Sequence, residues 1–542
     1  MIYKNKQLSS YVKESVNFLT QTIQTNWLFL LILAVGIFAR ILDFSNTPPG
    51  LNPDEASIGV EAYYLLKFGM DRNGISFPIH LISWGSGQNA FYAYLLIPLI
   101  ALRGLSIGTI RLPMMLSGIL SLPLVYFAGK QLYDTKYALI VMFLMAISPW
   151  HIINSRWAVE SNIFPFIFLV GFVCLLKAGQ DNRWFIPASI CFASCLYAYG
   201  TAYVAIPVFM ALSLPAIIFS KKIKFNYLAS GLLIFFLLSL PIALFIVINT
   251  FNLETVHIGI FTIPRLPVEA RYRSLAAVFG DNPFSAISNN LIIMSNLLWK
   301  QKDDFIWNFV EPFGYFYKLT FPLIIIGTIY LIISFKNLKE TAFEHWLLFS
   351  WVIASVFIGI IHPVNLTRIN LIFTPILFCL AICLIEFNKH IKYFMPIALI
   401  SLFVGFIFFT KAYHGNDYKM RASEAFNAGI IPAMEYANKN NGEIICVTEQ
   451  TRFAYIYTLY VEKFHPSEYL NTIEWVLPKE HPLDPSRTPR ALGKFRFKIS
   501  DCVDNTSAVY ILKLKETPPN PSIKYKIKKF IKYQVFLPKA VP

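Results

Sequence analysis

Charge is scarce in this chain. Only 14% of its 542 residues are Asp, Glu, Lys or Arg, and the 31 acidic residues are outnumbered by 47 basic ones. Soluble domains carry about 25% charged residues, so this shortage, with 56% hydrophobic residues and a mean hydropathy of +0.53, excludes an ordinary soluble protein. The net charge of +16 fits an anionic membrane surface better than nucleic acid, because the sequence contains no recognisable nucleic-acid module.

Several signatures of soluble enzymes are also missing. The sequence has no Gly-rich phosphate loop, no internal repeat and no cluster with zinc-ligand spacing, and His151 alone is weak evidence for a metal. Only seven cysteines are present, and five lie in apolar segments where small packing residues are expected: Cys174, Cys191, Cys195, Cys379 and Cys383. Cys446 and Cys502 share the C-terminal part and either pair in an oxidising compartment or stay free.

Long apolar runs, in contrast, recur along the chain. About 30 Å of hydrocarbon needs roughly 20 apolar residues in a helix, and eleven runs approach this length, at 27–44, 110–129, 136–153, 163–178, 184–199, 203–219, 227–249, 316–335, 345–362, 369–386 and 393–411. The apolar stretch Phe91–Leu102 is too short to span, so we predict a helix in the membrane interface there, and another at Asn289–Trp299. The chain is therefore predicted to be a polytopic α-helical membrane protein.

Basic residues in the short loops predict its orientation. The loops that carry them all fall on one side of the membrane, which the positive-inside rule identifies as cytoplasmic. These residues are Lys4, Lys6, Lys13, Lys130, Lys136, Lys177, Arg183, Lys221, Lys222, Lys224, Lys336, Lys339, Lys389 and Lys392. We expect residues 1–26 to be a cytoplasmic segment, 27–411 the transmembrane module, and its loop 45–109 to be external. The first apolar run is full length without a small-residue cleavage site, which favours a retained span.

The tail, 412–542, changes character and is predicted to be a small external α/β domain. Its alternation of elements supports this, with helices at 412–440 and Arg452–Lys463 and strands at Glu443–Val447 and Ala508–Leu514. The run Lys524–Lys539 carries six lysines and no acid. It is either an edge strand with a solvated basic face or a contact for anionic lipid or polymer.

Two adjacent carboxylates stand out in the first external loop. Asn52 suits a helix cap, Pro53 suits the first turn, and Asp54 and Glu55 meet the positive end of the helix dipole. Apolar residues then recur at helical spacing until Gly69, a plausible stop. The pair is either part of a capped surface helix or a pair of functional acids beside the membrane.

Arginines near the external ends of spans form a second group of candidates. Arg111, Arg156 and Arg368 either snorkel to the headgroups or form a seat for a phosphate, since guanidinium donors match phosphate oxygens. Arg40 and Asp43, one turn apart, favour a local ion pair.

The second external loop adds His151 and Glu160 to the candidates. Arg156 and Glu160 lie four residues apart and either pair with each other or take part in a site. The aromatic residues around them are also typical of the aromatic belt at a membrane surface.

These residues together resemble a known family. The run from Arg40 through Pro48-Pro49-Gly50-Leu51-Asn52-Pro53-Asp54-Glu55-Ala56 to Gly74, then Tyr92, Tyr94 and Arg111-Leu112-Pro113, is similar to bacterial relatives of the dolichyl-phosphate-mannose protein mannosyltransferases. These are integral-membrane glycosyltransferases of the GT-C fold. Ser148-Pro149-Trp150-His151 with Ser155-Arg156 and Glu160 resembles their second-loop motif. The resemblance is dense over 40–165 and thin afterwards, with Asn365 to Arg368 and Pro375 only loosely similar.

The resemblance implies a function at the outer face of the plasma membrane. A sugar would be transferred with inversion from a polyprenyl-phosphate donor to an acceptor hydroxyl, with Asp54 as general base and Glu55 orienting acceptor or phosphate. The acceptor would be a glycan, a lipid or a protein, and no trefoil domain like that of the eukaryotic enzymes is recognised in the tail. No cofactor is implied with certainty, and a divalent metal on Glu55 or Glu160 is left open. The alternative is a transporter or flippase of lipid-linked or anionic glycans.

Overall fold

The computed structural model describes residues 26–270, 282–302, 305–334, 342–440, 443–475 and 489–539. The expected cytoplasmic segment 1–26 therefore lies outside the described residues except for Asn26.

Ten of the predicted spans each correspond to one helix with somewhat different bounds, and the predicted span 136–153 is divided at Ser148 into a helix that ends at Ile147 and a short helix after it. These helices are α1 (Asn26–Ile41), α4 (Ile107–Leu132), α5 (Thr135–Ile147), α7 (Glu160–Ala178), α8 (Phe185–Ala198), α9 (Ala202–Ser220), α10 (Phe225–Phe251), α12 (Thr320–Ser334), α13 (Ala342–Ile361), α14 (Phe373–His390) and α15 (Phe394–Tyr413). Among the described helices, seven are long and apolar enough to cross a membrane, while α1, α5, α8 and α12 are shorter. The polytopic helical class is confirmed, and eleven crossings stay a prediction.

The bundle has a buried centre and an apolar outer surface. Helices α7 and α14 are buried along most of their length, whereas α10 and α15 expose large apolar side chains such as Leu233, Phe236, Ile400 and Phe408. Exposed apolar surface of this extent is typical of contact with lipid. Local signals set several boundaries, as at Asp134, whose carboxylate accepts the Tyr137 N–H and caps α5.

The first long loop, 45–109, is folded against the bundle. It contains α2 (Pro53–Phe68), the short antiparallel strands β1 (His80–Leu81) and β2 (Gln88–Asn89), and α3 (Phe91–Arg103), which covers the short apolar stretch predicted to be a helix. Farther along the chain, β3 (Val256–Ile258) pairs with β4 (Phe261–Ile263). The predicted helix at Asn289–Trp299 is part of the longer α11 (Pro283–Lys300), and α6 (Pro149–Asn154) lies in the second loop.

The tail forms an α/β unit on a seven-stranded sheet. Its helices are α16 (Asn416–Ala425), α17 (Ile430–Lys439), α18 (Ala454–Glu462) and α19 (Pro466–Thr472). The strands are β5 (Ile445–Val447), β6 (Ile473–Trp475), β7 (Pro489–Leu492), β8 (Phe495–Arg496), β9 (Val509–Lys513), β10 (Tyr525–Lys529) and β11 (Tyr533–Pro538), in the order β10-β11-β9-β5-β8-β7-β6. Only β5 pairs in parallel, with β8 and β9, among the described strands.

Two predictions about the tail have definite outcomes. A disulfide joins Cys446 on β5 to Cys502, so of the two alternatives the paired one is present. The basic run 524–539 forms a hairpin of two strands rather than one, and its first strand, β10, is the edge strand with exposed lysines.

Candidate active site

The start of α2 is built as its sequence predicts. The Asn52 side chain accepts a hydrogen bond from the Asp54 N–H at 2.9 Å, and the Glu55 carboxylate accepts one from the Asn52 N–H at 3.1 Å. This reciprocal capping box satisfies donors that a helix start otherwise leaves unpaired. The helix ends at Gly69, whose φ of 68° is the left-handed conformation that glycine adopts readily. The predicted cap and stop are thus confirmed.

Glu55 is a buried anchor. Its two carboxylate oxygens each accept a 2.8 Å hydrogen bond from Arg111, one from Nε and one from Nη2, and Oε1 also accepts from the Ala158 N–H at 2.8 Å. Both charged side chains are fully buried. Such a two-pronged pair is directional as well as strong. Glu55 therefore joins the first loop to α4 and to the second loop.

Arg111 is committed to this anchor. Besides Glu55, its guanidinium donates to the backbone carbonyls of Pro48 and Gly50, both at 2.8 Å. The residue opens α4 as expected, but its donors point to the protein and not to a cavity. These four donor contacts within the chain give Arg111 a structural role, and its contact with a phosphate stays a prediction.

Arg156 holds the C-terminal end of α1. Its guanidinium donates to the carbonyls of Thr47, Ala39, Arg40, Leu42 and Asp43, over distances of 2.6–3.2 Å. The last carbonyls of a helix lack partners within the helix, and a cation there also meets the negative end of its dipole. These contacts give Arg156 a helix-capping role, while its contact with a phosphate and the alternative pair with Glu160 stay predictions.

The local pair expected between Arg40 and Asp43 is wrong. Arg40 is buried and donates to the carbonyls of Gly36, Met145 and Ala146, while its Nη2 lies 2.5 Å from Nδ1 of His151. Asp43 instead forms an ion pair with Lys419 of α16 at 2.7 Å. The helix end turns the two side chains apart, so spacing along the sequence does not determine their partners. His151 consequently lies against Arg40 rather than beside Asp54.

Asp54, in contrast to Glu55, lines a cavity of about 210 Å³. Glu160 and Arg368 line the same cavity, so the structure brings together predicted residues from three separate loops. Glu160 also accepts a hydrogen bond from the Asn89 N–H at 2.7 Å, which ties the first loop to the start of α7. Arg368 donates to the Pro363 carbonyl at 3.0 Å. Of the three candidate arginines, only Arg368 reaches this cavity.

A second, smaller cavity of about 50 Å³ adjoins the first, and both are lined by Gly87, Glu160, Tyr199 and Arg368. His80 and His362 line the smaller cavity and not the larger one. Burial lowers the pKa of His80 to about 4, so its imidazole is neutral near pH 7. Arg368 therefore supplies a fixed positive charge to both cavities.

The sequence pattern missed most of the cavity wall. Besides Tyr199, four aromatic residues, Trp84, Trp157, Phe305 and Trp307, line the larger cavity together with Asn365 and Thr367. A high density of tryptophan in external segments was the available signal, but the aromatic belt explains such residues equally well. In the described residues, no group of three or more His, Cys, Asp or Glu side chains is arranged to hold a metal ion.

Comparison with known proteins bears on the family and the fold. Residues 30–257, less than half of the chain, match the family Dolichyl-phosphate-mannose-protein mannosyltransferase. ArnT from Cupriavidus metallidurans bound to undecaprenyl phosphate has a TM-score of 0.55 at 12% identity, over 95% of this chain and 98% of that one. The chain has the GT-C fold of membrane glycosyltransferases. The predicted GT-C fold, including a C-terminal sheet unit, is therefore confirmed.

A third similarity extends this GT-C relationship to archaea. The oligosaccharyltransferase of Archaeoglobus fulgidus, tethered to an acceptor peptide, has a TM-score of 0.51 at 15% identity and covers 82% of this chain. The chain spans 64% of the length of that archaeal protein. No curated protein sequence matches the chain.

Proposed function

We propose that this chain is a glycosyltransferase that moves a sugar from a polyprenyl-phosphate donor to an acceptor hydroxyl at the outer face of the plasma membrane. The family match over the first loop and the solved GT-C neighbour bound to undecaprenyl phosphate support this reaction class. The observation that carries the proposal is the divergence of two adjacent carboxylates. Glu55 is locked by Arg111, while Asp54 lines a cavity that also contains Arg368.

Asp54 acts as the general base. An alcohol is a weak nucleophile until a positioned base removes its proton. As the acceptor oxygen bonds to the anomeric carbon, Asp54 takes the hydroxyl proton. The bond from the anomeric carbon to the phosphate oxygen breaks, and the lipid phosphate leaves with the electron pair. Attack from the face opposite the leaving group inverts the anomeric configuration.

Arg368 stabilises the leaving phosphate. Negative charge develops on that group as the bond breaks, and a fixed cation aimed at developing charge lowers the barrier. Arg368 lines both cavities. It is therefore suited to hold the phosphate of a donor in one cavity while the acceptor occupies the other. Glu55 positions Asp54 by fixing the helix start through Arg111 and Asn52.

The disulfide supports placing the reaction at the outer face of the membrane. Disulfides such as Cys446–Cys502 persist in oxidising compartments and are rare in the cytosol. The tail that carries this bond packs directly against α2, since Leu51 N–H donates to the Phe426 carbonyl at 2.8 Å. The active site and the tail consequently face the same side of the membrane.

Asp54→Asn tests the catalytic assignment. The substitution keeps the shape of the side chain and removes its basicity, so we expect transfer to fall by a factor of about 10² to 10⁴. The measurement is mass spectrometry of surface glycans from a deletion strain carrying each variant, together with undecaprenyl phosphate binding to the purified protein. Binding of this lipid should be unchanged, because Asp54 acts on the acceptor.

Asp417→Asn is the matched control, since Asp417 and Asp54 both occupy the second position of a helix. Asp417 is exposed and pairs with Arg421 on the surface. Wild-type glycans from the Asp54→Asn strain would remove Asp54 from the mechanism.

A further inference from the structure

The larger cavity has an aromatic wall, made of Trp84, Trp157, Phe305 and Trp307, on the same surface as Asp54. The rings of Phe305 and Trp307 stack with centroids 4.8 Å apart and planes inclined by 22°. Trp307 then meets Trp157 edge to face at 6.4 Å. These contacts join the outer and inner parts of the aromatic wall into one continuous surface.

The aromatic wall runs from a buried floor to an exposed rim. Trp157 and Trp84 are only 4% and 8% exposed, whereas Phe305 is 41% exposed. Trp84 is held from two sides, with the Arg72 guanidinium 5.0 Å from one ring and Phe453 of the tail 4.5 Å away. The floor is therefore preformed, which lowers the ordering cost of binding a ligand.

One polar group on this floor lacks a partner. The indole N–H of Trp157 is buried and makes no hydrogen bond within the described part of the chain. A buried donor without an acceptor is unfavourable, and such groups in native proteins often mark a ligand or water position. Since Trp157 lines the cavity, a ligand that offers an oxygen at the floor would satisfy this donor.

We propose that the aromatic wall is the acceptor subsite and that the acceptor is a saccharide; this inference rests on the proposed function. A pyranose ring presents C–H bonds on its face, which pack on aromatic rings, and hydroxyls around its edge. Asn365, Thr367 and the Trp157 N–H supply hydrogen-bond partners for those hydroxyls.

A lipid acceptor fits the cavity less well. A lipid chain would leave the polar groups of the floor unpaired, which is unfavourable in a buried cavity. The cavity of about 210 Å³ is smaller than the roughly 300–1,000 Å³ of pockets for drug-sized ligands. It therefore takes one sugar unit, with the rest of a glycan extending past Phe305 and Trp307 at the rim.

The test measures saccharide binding to the purified full chain by saturation-transfer NMR. The probes are methyl glycosides and disaccharides of glucose, galactose, mannose and N-acetylglucosamine, compared with a threonine-containing hexapeptide. Trp307→Ala should weaken binding of the best saccharide about tenfold, as truncation of an aromatic anchor does. Trp157→Phe keeps an aromatic ring but removes the N–H together with part of the indole surface, and we expect it to weaken binding about two- to tenfold.

Trp299→Ala is the control, because Trp299 is an exposed tryptophan on α11 that packs on Phe321 outside the cavity. It should leave saccharide binding unchanged. Undecaprenyl phosphate binding is measured on the same samples. If this lipid binds but no saccharide does, or if only the peptide binding responds to the two substitutions, the saccharide acceptor is overturned and the proposed function stands. If the lipid fails to bind the wild-type chain, the proposed function falls, and this inference with it.

Discussion

The phenolic hydroxyl of Tyr457 in the tail donates a 2.7 Å hydrogen bond to the backbone carbonyl of Leu51, three residues before Asp54. The Leu51 N–H is also bonded to the tail, through the Phe426 carbonyl. The Tyr457 hydroxyl in turn accepts a hydrogen bond from the Asn427 side chain at 2.9 Å. The tail thereby fixes both backbone polar groups of the residue that leads into α2, and the position of Asp54 depends on a domain some 400 residues away.

Tyr457→Phe should therefore lower both stability and turnover. The substitution leaves the Leu51 carbonyl buried without its partner, which costs about 1–3 kcal/mol. Turnover should fall more than undecaprenyl phosphate affinity, since the helix start that carries Asp54 is loosened while Arg368 is not. Thermal unfolding, surface-glycan analysis and lipid binding measure the three effects. Tyr436→Phe is the control, because the Tyr436 ring packs on Phe530 within the tail, and equal behaviour of the two variants would contradict the prediction.

Arg368→Lys should weaken binding of undecaprenyl phosphate about tenfold. Lysine keeps the charge but loses the planar pair of donors that matches two phosphate oxygens. This lipid is the leaving group for every possible sugar, so the assay does not require the donor sugar to be known. Arg265→Lys, at an exposed arginine following β4, should bind as the wild type does.

Arg111→Lys provides the contrasting variant in that experiment. It should lower thermal stability, because the two-pronged contact with Glu55 and the carbonyl contacts of Arg111 are lost inside the protein. Folded Arg111→Lys protein should still bind the lipid. Strong loss of lipid binding with unchanged stability in this variant would return Arg111 to the phosphate site and argue against Arg368.

Stability should decrease with rising pH in a way that depends on Asp71. Burial and the neighbouring Glu61 carboxylate raise the pKa of Asp71 from 3.8 to about 7. Its Oδ1 accepts from the N–H groups of Asn73 and Ile75, and its Oδ2 is buried without a partner in the described chain. Because the folded-state pKa is the higher one, the contribution of Asp71 is fully present below about pH 3.8 and is lost as the pH rises through about 7.

Asp71→Asn measures this contribution directly. An amide keeps the acceptor oxygen and cannot ionise, so the difference in melting temperature between variant and wild type should grow in favour of the variant from pH 4 to pH 8. Asp417→Asn, at an exposed aspartate, is the control measured over the same pH range. A pH-independent difference for Asp71→Asn would mean that Asp71 is ionised throughout.

Cysteine labelling tests the orientation. Asn416→Cys lies at the exposed start of α16 in the tail, and Lys224→Cys lies in the exposed loop before α10. An impermeant maleimide should label the first variant in intact cells and the second only after permeabilisation. The tail cysteines are held in the disulfide, and the five free ones are not exposed, so background labelling should be low. The reverse pattern would place the active site on the cytoplasmic side.

Helices, strands and helix caps could be predicted from the sequence, because they depend on residues that are neighbours along the chain. The long apolar runs predicted helices, because backbone N–H and C=O groups in hydrocarbon must form hydrogen bonds within the segment. Asn52, Pro53 and Gly69 predicted the limits of α2, because caps and stops act within one helical turn. The strand at Ile445–Val447 and the helix at Ala454–Glu462 followed from their own patterns in the same way.

The ion pairs between charged side chains, in contrast, depend on the tertiary structure. Glu55 and Arg111 are 56 residues apart, and Asp43 and Lys419 are 376 apart, so no local pattern selects these pairs over Arg40 with Asp43 or Arg156 with Glu160. Desolvation makes an unpaired buried charge very unfavourable, and packing therefore assigned Arg111 and Arg156 to the protein interior. Arg368, Asp54 and the aromatic wall were left to line the cavity.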